Sequence, residues 1–172
     1  MKNILAFVCL IALMTALPAF ASENAKKSPQ MITGAISQTV VKMPIAKDIS
    51  MDDAVESMKL RANFLNMKLV AELPLSKQVE ATTGKPERRM TIYQFCDALT
   101  AKKMVDYSMD FAAYLPCRIA LIEDEKGQGW LIMMDLNILI NSANLDPKLK
   151  EKAIEVRNSL ENIMKAGANG EL

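Results

Sequence analysis

The sequence predicts one small domain that mixes helices and strands. Three observations carry that reading. Runs rich in β-branched and apolar residues recur at 31–43, 67–75, 90–96, 118–124 and 129–136, bounded by Pro, Gly or charged turns. Stretches with helical spacing of apolar residues separate the earlier runs and close the chain. The last two runs, "CRIALIED" and "GWLIMMDL", flank a tight Gly-containing turn, which is the pattern of a β-hairpin.

The chain opens with "MKNILAFVCLIALMTALPAFASEN". Lys2, the apolar run Ile4–Leu13 and the small-residue site Ala19-Phe20-Ala21 give the order of a secretory signal peptide, cleaved after Ala21. The apolar run is shorter than the roughly 20 residues of a membrane span. The expectation is a periplasmic or secreted protein, free of the membrane once residues 1–21 are removed. Residues 22–30, "SENAKKSPQ", read as a flexible lead-in.

The α/β domain is expected over 31–145 and a C-terminal helix over 146–172. The first strand ends at Pro44. The helix at 50–66 starts on Ser50 as N-cap, with Asp52 and Asp53 complementing the positive helix end, and Val55, Met58, Ala62 and Leu65 as its core stripe. The strand at 67–75 closes at Pro74, and the short helix at 76–84 stops at Gly84. The strand at 90–96 delivers Cys96 at its far end. Residues 100–115 form either one helix or two short ones, the second capped by Ser108 with Asp110 in its first turn. The hairpin strands are apolar on both faces, so each side of the sheet needs cover. The last helix is capped by Asp146, carries Pro147 at its first position, and ends at Gly167; Leu149, Ala153, Val156, Leu160 and Ile163 line its core stripe.

Composition excludes several functions. The chain has 21 basic and 20 acidic residues, and losing Lys2 with the leader balances them. That leaves no basic footprint for nucleic acid. The chain contains no histidine, which removes Ser-His-Asp and Cys-His catalysis and every His-containing zinc site. No cofactor is predicted. Of the methionines outside the leader, Met51, Met58, Met104 and Met164 fall on helices at core spacings and Met133 and Met134 lie in a strand expected to be buried, so they read as core filling. Glu123, Asp124 and Glu125 read as a solvated hairpin turn.

Of three cysteines, Cys9 leaves with the leader. Cys96 and Cys117 remain, and in an oxidising compartment the default for a pair is a disulfide. Both lie at strand ends. Antiparallel strands bring those ends near the Cα separation of about 5.5 Å that a disulfide needs. Parallel strands hold them about 16 Å apart, at roughly 3.3 Å per residue over five residues. One helix over 100–115 favours the parallel case, and a break at Ser108 permits the antiparallel one. Tyr93, Asp97, Tyr107, Tyr114 and Arg118 form a candidate pocket near the cysteines.

The stretch "FCDALTAKKMVDYSMDFAAYLPCRIALIEDEKGQGW" resembles the core of the domain-of-unknown-function family numbered 302, in which a strand ends in a Phe-Gly-Asn-Pro-like turn. A helical stretch, Leu-Pro and a strand running into an acidic Gly turn follow. Phe95, Asp97, Leu115, Pro116, Arg118, Glu123, Asp124 and Gly127 stand at the matching positions, and the resemblance spans about 35–145. Cys96 replaces the usual Gly, Ala98 the usual Pro, and Cys117 an aliphatic residue. The resemblance implies a compact two-layer α/β sandwich, with a mostly antiparallel sheet of four or five strands and helices on one face. With the export signal, it favours the antiparallel case and a structural Cys96–Cys117 bond. It implies no activity.

The function expected from these readings is an exported, non-enzymatic binding or accessory module. It meets an unknown small ligand or a periplasmic protein, and the second face of the hairpin strands is covered either by the C-terminal helix of the same chain or by a second copy in a homodimer. The alternative is a thiol-disulfide or Cu(I)-handling protein using Cys96 and Cys117, since soft thiolate and thioether ligands suit Cu(I).

Overall fold

Five strands, β1 (Val40–Pro44), β2 (Lys68–Pro74), β3 (Met90–Cys96), β4 (Cys117–Glu123) and β5 (Gly129–Met134), form one sheet in the order β1–β5–β4–β3–β2. Every neighbouring pair is antiparallel. The structure is a computed structural model and describes residues 36–171. The expected leader, the lead-in and the start of the first strand at 31–35 lie outside the described residues. Five helices accompany the sheet among the described residues: α1 (Met51–Phe64), α2 (Leu75–Thr83), α3 (Ala98–Tyr107), α4 (Leu136–Ser142) and α5 (Pro147–Asn169).

The core forms where α1 and α5 cross one face of the sheet. Ala54, Val55, Met58 and Ala62 of α1 and Leu160, Ile163 and Met164 of α5 are buried there. They meet Tyr93 and Phe95 of β3, Ile119 and Leu121 of β4, and Leu131 and Met133 of β5. Burying each large apolar side chain stabilises the fold by about 1.5–3 kcal/mol. The strand positions of opposite parity form an outer face. Val40, Ile92, Ala120, Ile122, Trp130 and Ile132 on it are half-buried, while Lys42, Arg118 and Met134 are exposed.

Local chemistry explains the element ends. Ser50 Oγ accepts from the Asp53 N–H at 3.1 Å and opens α1. Asp146 accepts from the Lys148 and Leu149 N–H groups and opens α5, with Pro147 at its first position. Gly84 stops α2 with φ of 67°. Asp124 builds the β4–β5 turn: its Oδ1 accepts from the Lys126 and Gln128 N–H groups, and its Oδ2 from Trp130 Nε1 at 3.0 Å. The three-carboxylate turn is thus an ordered structure held by Asp124.

Three expectations are corrected. Residues 36–38 form a 3-10 turn, because the Thr39 N–H and Oγ1 both donate to the Ile36 carbonyl, so the first strand starts at Val40. The strand expected to run to 136 ends at Met134, where Asp135 caps α4, an unforeseen helix. Between Leu69 and Ala71 the β2 register shifts in a bulge.

The third correction concerns Gly167, which does not end α5. The helix continues to Asn169 and stops at Gly170, φ 66°. Gly167 lies inside it, where a β-carbon would fall 2.5 Å from Met58 Cγ and 3.0 Å from the Ala54 carbonyl oxygen. Its missing side chain lets α1 and α5 approach.

A thiol-lined cavity at one end of the sheet

The residues flanking four strand ends converge at one end of the sheet. Met67 precedes β2, Cys96 and Asp97 close β3, Leu115 and Cys117 open β4, and Leu136 follows β5. Met104 of α3, Phe111 of the following 3-10 segment (Met109–Tyr114), Ile140 of α4 and Val156 of α5 complete the wall. They line a partly open cavity of about 70 Å³.

The chain reverses over this cavity through the break at Ser108. There α3 ends, and the Ser108 hydroxyl accepts from the Asp110 N–H at 3.3 Å to open the 3-10 segment. The two-helix alternative is therefore the one that forms, and it returns the chain to the same end of the sheet. The Leu115–Pro116 peptide that leads into β4 is cis.

The antiparallel β3–β4 pairing is as expected, but the cysteines are free thiols. The register gives the physical reason. Cys117 faces Phe95, not Cys96. Directly paired residues share a face and successive residues alternate, so Cys96 turns away from the face that Cys117 occupies. The cavity touches both because it lies beyond the strand ends.

Burial raises both thiol pKa values. Cys117 is pushed up to about 11, chiefly by desolvation, with the neighbouring Cys96 adding to the shift and Arg118 opposing it. Cys96 is raised by burial and then by the charge of Asp97. Both thiols are therefore protonated at neutral pH, the opposite of the electropositive setting that makes a nucleophilic cysteine.

The other candidate residues separate. Asp97 reaches the cavity but is engaged as the N-cap of α3, accepting from the Leu99 and Thr100 N–H groups and from Thr100 Oγ1 at 2.6 Å. Burial alone acts to raise its pKa; the Thr100 and Leu99 bonds and Lys103 outweigh it, and the carboxyl lies below its usual value. Tyr114 lines the cavity and is 40% exposed. Tyr107 sits outside: its hydroxyl donates to the Asn144 carbonyl, and its ring tilts against Phe111 at 6.5 Å. Tyr93 is fully buried under α1, its hydroxyl accepting from Arg89 Nη2 at 3.4 Å. Arg118 projects from the outer face of β4. The apolar walls Met67, Met104, Phe111 and Ile140 were not among the candidates, because only the convergence of strand ends sets them apart from other core residues. Among the described residues, no group of three or more His, Cys, Asp or Glu side chains is placed to hold a metal ion.

Fold and cavity together define an α+β domain built on a five-stranded antiparallel sheet, with a long C-terminal helix packed on it. The chain belongs to the family described as domain of unknown function DUF302, which matches residues 41–167 and so runs through α5. A solved structure, "Crystal structure of uncharacterized conserved protein DUF302 from Bacillus stearothermophilus", is similar at a TM-score of 0.63 and 16% identity, covering 74% of this chain and 97% of the other. At that identity the likeness is one of fold. No curated protein matches the chain.

Proposed function

We propose that the chain is an exported binding module that performs no covalent chemistry of its own and holds a small apolar group in the thiol-lined cavity. The lining carries this reading. Asp97 and Thr100 bond to each other, so apart from the Tyr114 hydroxyl a ligand meets aliphatic, thioether, aromatic and thiol surface. An apolar cavity of roughly 150 Å³ takes up benzene. This one, at about 70 Å³, suits something smaller: the branched aliphatic or thioether tip of a small ligand or of a periplasmic protein's side chain. The absence of histidine and the protonated state of both thiols support a binding role over catalysis.

Methyl NMR under xenon pressure tests the reading. The Met67 and Met104 methyl signals shift as the cavity fills, and filling it by Ala101→Phe, at a position of α3 that also lines the cavity, removes the response. Unmoved Met67 and Met104 signals in the unaltered protein defeat the proposal. The leader supports export, and intact-mass measurement of periplasmic material should then find Ser22 as the first residue.

A thiol-disulfide or Cu(I) role is the second reading, favoured by the two cysteines lining one cavity. The upward thiol shifts weigh against it, since the thiolate is the nucleophile and the metal ligand. Cu(I) binding that both Cys96→Ser and Cys117→Ser abolish would move the assignment there.

A further inference from the structure

The outer face of the sheet carries a second concavity. A groove of about 420 Å³ runs over Val40, Ile92, Ala120, Ile132 and Met134, within the span of small-molecule sites of roughly 300–1,000 Å³. Its polar rim is Thr39, Tyr114 and Arg118. The strand register places further cations on this face, Lys42 opposite Ile132 and Lys68 opposite Cys96. The strand carboxylates lie elsewhere. Glu72 pairs with Tyr93 in register and bonds Lys59 of α1, and Glu123 accepts from the Arg89 N–H. Among the described residues, Arg118 has no hydrogen-bond or ion-pair partner, so a guanidinium stands over an apolar floor with its donors unspent.

We infer that this groove binds a single-chain carboxylate of fatty-acid type, its head on Arg118 and its chain along the floor. The charge pattern selects that occupant. A guanidinium presents donors in a fork that matches a carboxylate, while the floor offers hydrocarbon and the other polar groups near the head, Gln94, Thr39 and Tyr114, are uncharged. A second copy of the chain seated face to face would bring the cations Lys42, Lys68 and Arg118 together, and the carboxylate that reaches this face, Asp124, is already engaged by Trp130 Nε1. The inference stands apart from the cavity, with which the groove shares Tyr114, Cys117 and Leu136 as a dividing wall.

The experiment is calorimetric titration of the purified chain with decanoate, dodecanoate and dodecanol below their micelle concentrations. Dodecanoate is expected to bind, with each added methylene gaining roughly fourfold in affinity. Arg118→Gln, an exposed change that leaves the thermal melt in place, weakens dodecanoate at least about tenfold and leaves dodecanol unchanged. Ile132→Glu abolishes both, and Ala101→Phe in the cavity affects neither, which separates failure here from failure of the cavity reading.

Several results overturn the inference. These are no dodecanoate binding, an equal loss of dodecanoate and dodecanol in Arg118→Gln, or binding that Ala101→Phe removes. Binding that emerges only after residues 22–35 are deleted assigns the groove to the chain's own segment. A dimer that dodecanoate does not dissociate assigns it to a second copy. Sedimentation with phosphatidylglycerol vesicles, in place of dodecanoate binding, assigns it to a membrane surface.

Discussion

Replacing Gly167 by alanine sets two effects of opposite sign against each other. Inside a helix, alanine is favoured over glycine by about 1 kcal/mol, because it restricts the unfolded backbone and shields the helix. Against that stands the space at this position. The new methyl carbon falls 2.5 Å from Met58 Cγ, 3.0 Å from the Ala54 carbonyl oxygen and 3.0 Å from Leu131 Cδ1. Met58 and Leu131 are fully buried, and the Ala54 carbonyl is backbone, so it moves only if α1 moves. Overpacking of this kind costs typically 1–3 kcal/mol, and three simultaneous contacts place it at the upper end. The net result is a loss of about 2 kcal/mol. Urea denaturation of the two proteins measures it directly; with a slope of about 1–3 kcal/mol per molar, the midpoint falls by roughly 1 M. An unchanged or higher midpoint, the outcome that helix propensity alone predicts, refutes the close approach of α1 and α5.

Further outcomes follow from the titrating groups. The Cys117 pKa is raised from 9.0 to about 11, so this thiol contributes stability that is present below the unfolded pKa and lost as pH climbs through 9 to 11. At 1.36 kcal/mol per unit, the loss is about 3 kcal/mol, and denaturation curves of the unaltered protein and Cys117→Ala should converge over that range. Parallel curves contradict the buried thiol. Under non-reducing conditions, mass-resolved alkylation should find both cysteines unbonded, with Cys117 reacting more slowly and about tenfold faster per pH unit; a native mass lacking two hydrogens contradicts this. At the acid end, the carboxyls of Asp97 and Asp124 lie below their usual values. Burial opposes the Asp97 shift and its cap bonds outweigh that; for Asp124 the bond from Trp130 leads. Their stabilisation is present above the unfolded pKa and disappears as pH falls below about 4, and Asp124→Asn should flatten the acid limb of a melting-temperature profile.

Where a local chemical signal exists, the sequence was informative. Asp146-Pro147 located the start of α5, Ser50 that of α1, and Ser108 marked the reversal that makes β3 and β4 antiparallel. Where the decisive fact is tertiary, it misled. "LNILIN" extends an apolar strand and contains β-branched Ile138 and Ile140, which hid α4; its signal was Asp135, a capping residue at the end of the run. Gly167 resembled a terminator because only the approach of a second helix shows why the position lacks a side chain. Tyr93 shares its strand face with Phe95, but no local pattern says which face of β3 meets α1. The cysteine pairing turned on a single step of register, Phe95 opposite Cys117, and a hydrophobic pattern does not fix register to one residue at a strand's last position.

The order of the sheet also sets a timetable. Val40 pairs with Met134, and α1 has its packing partner in α5, so the first strand and first helix both wait for the far end of the chain. Contacts of such long sequence separation slow folding, because loop closure must precede any gain. Until β5 emerges β1 has no strand neighbour, and until α5 follows, Ala54 and Met58 lack the helix that packs over them. A chain threaded through a membrane must stay unfolded in transit, and the proposed export asks that of this one. A topology that withholds its first and last contacts until both ends are present suits that requirement.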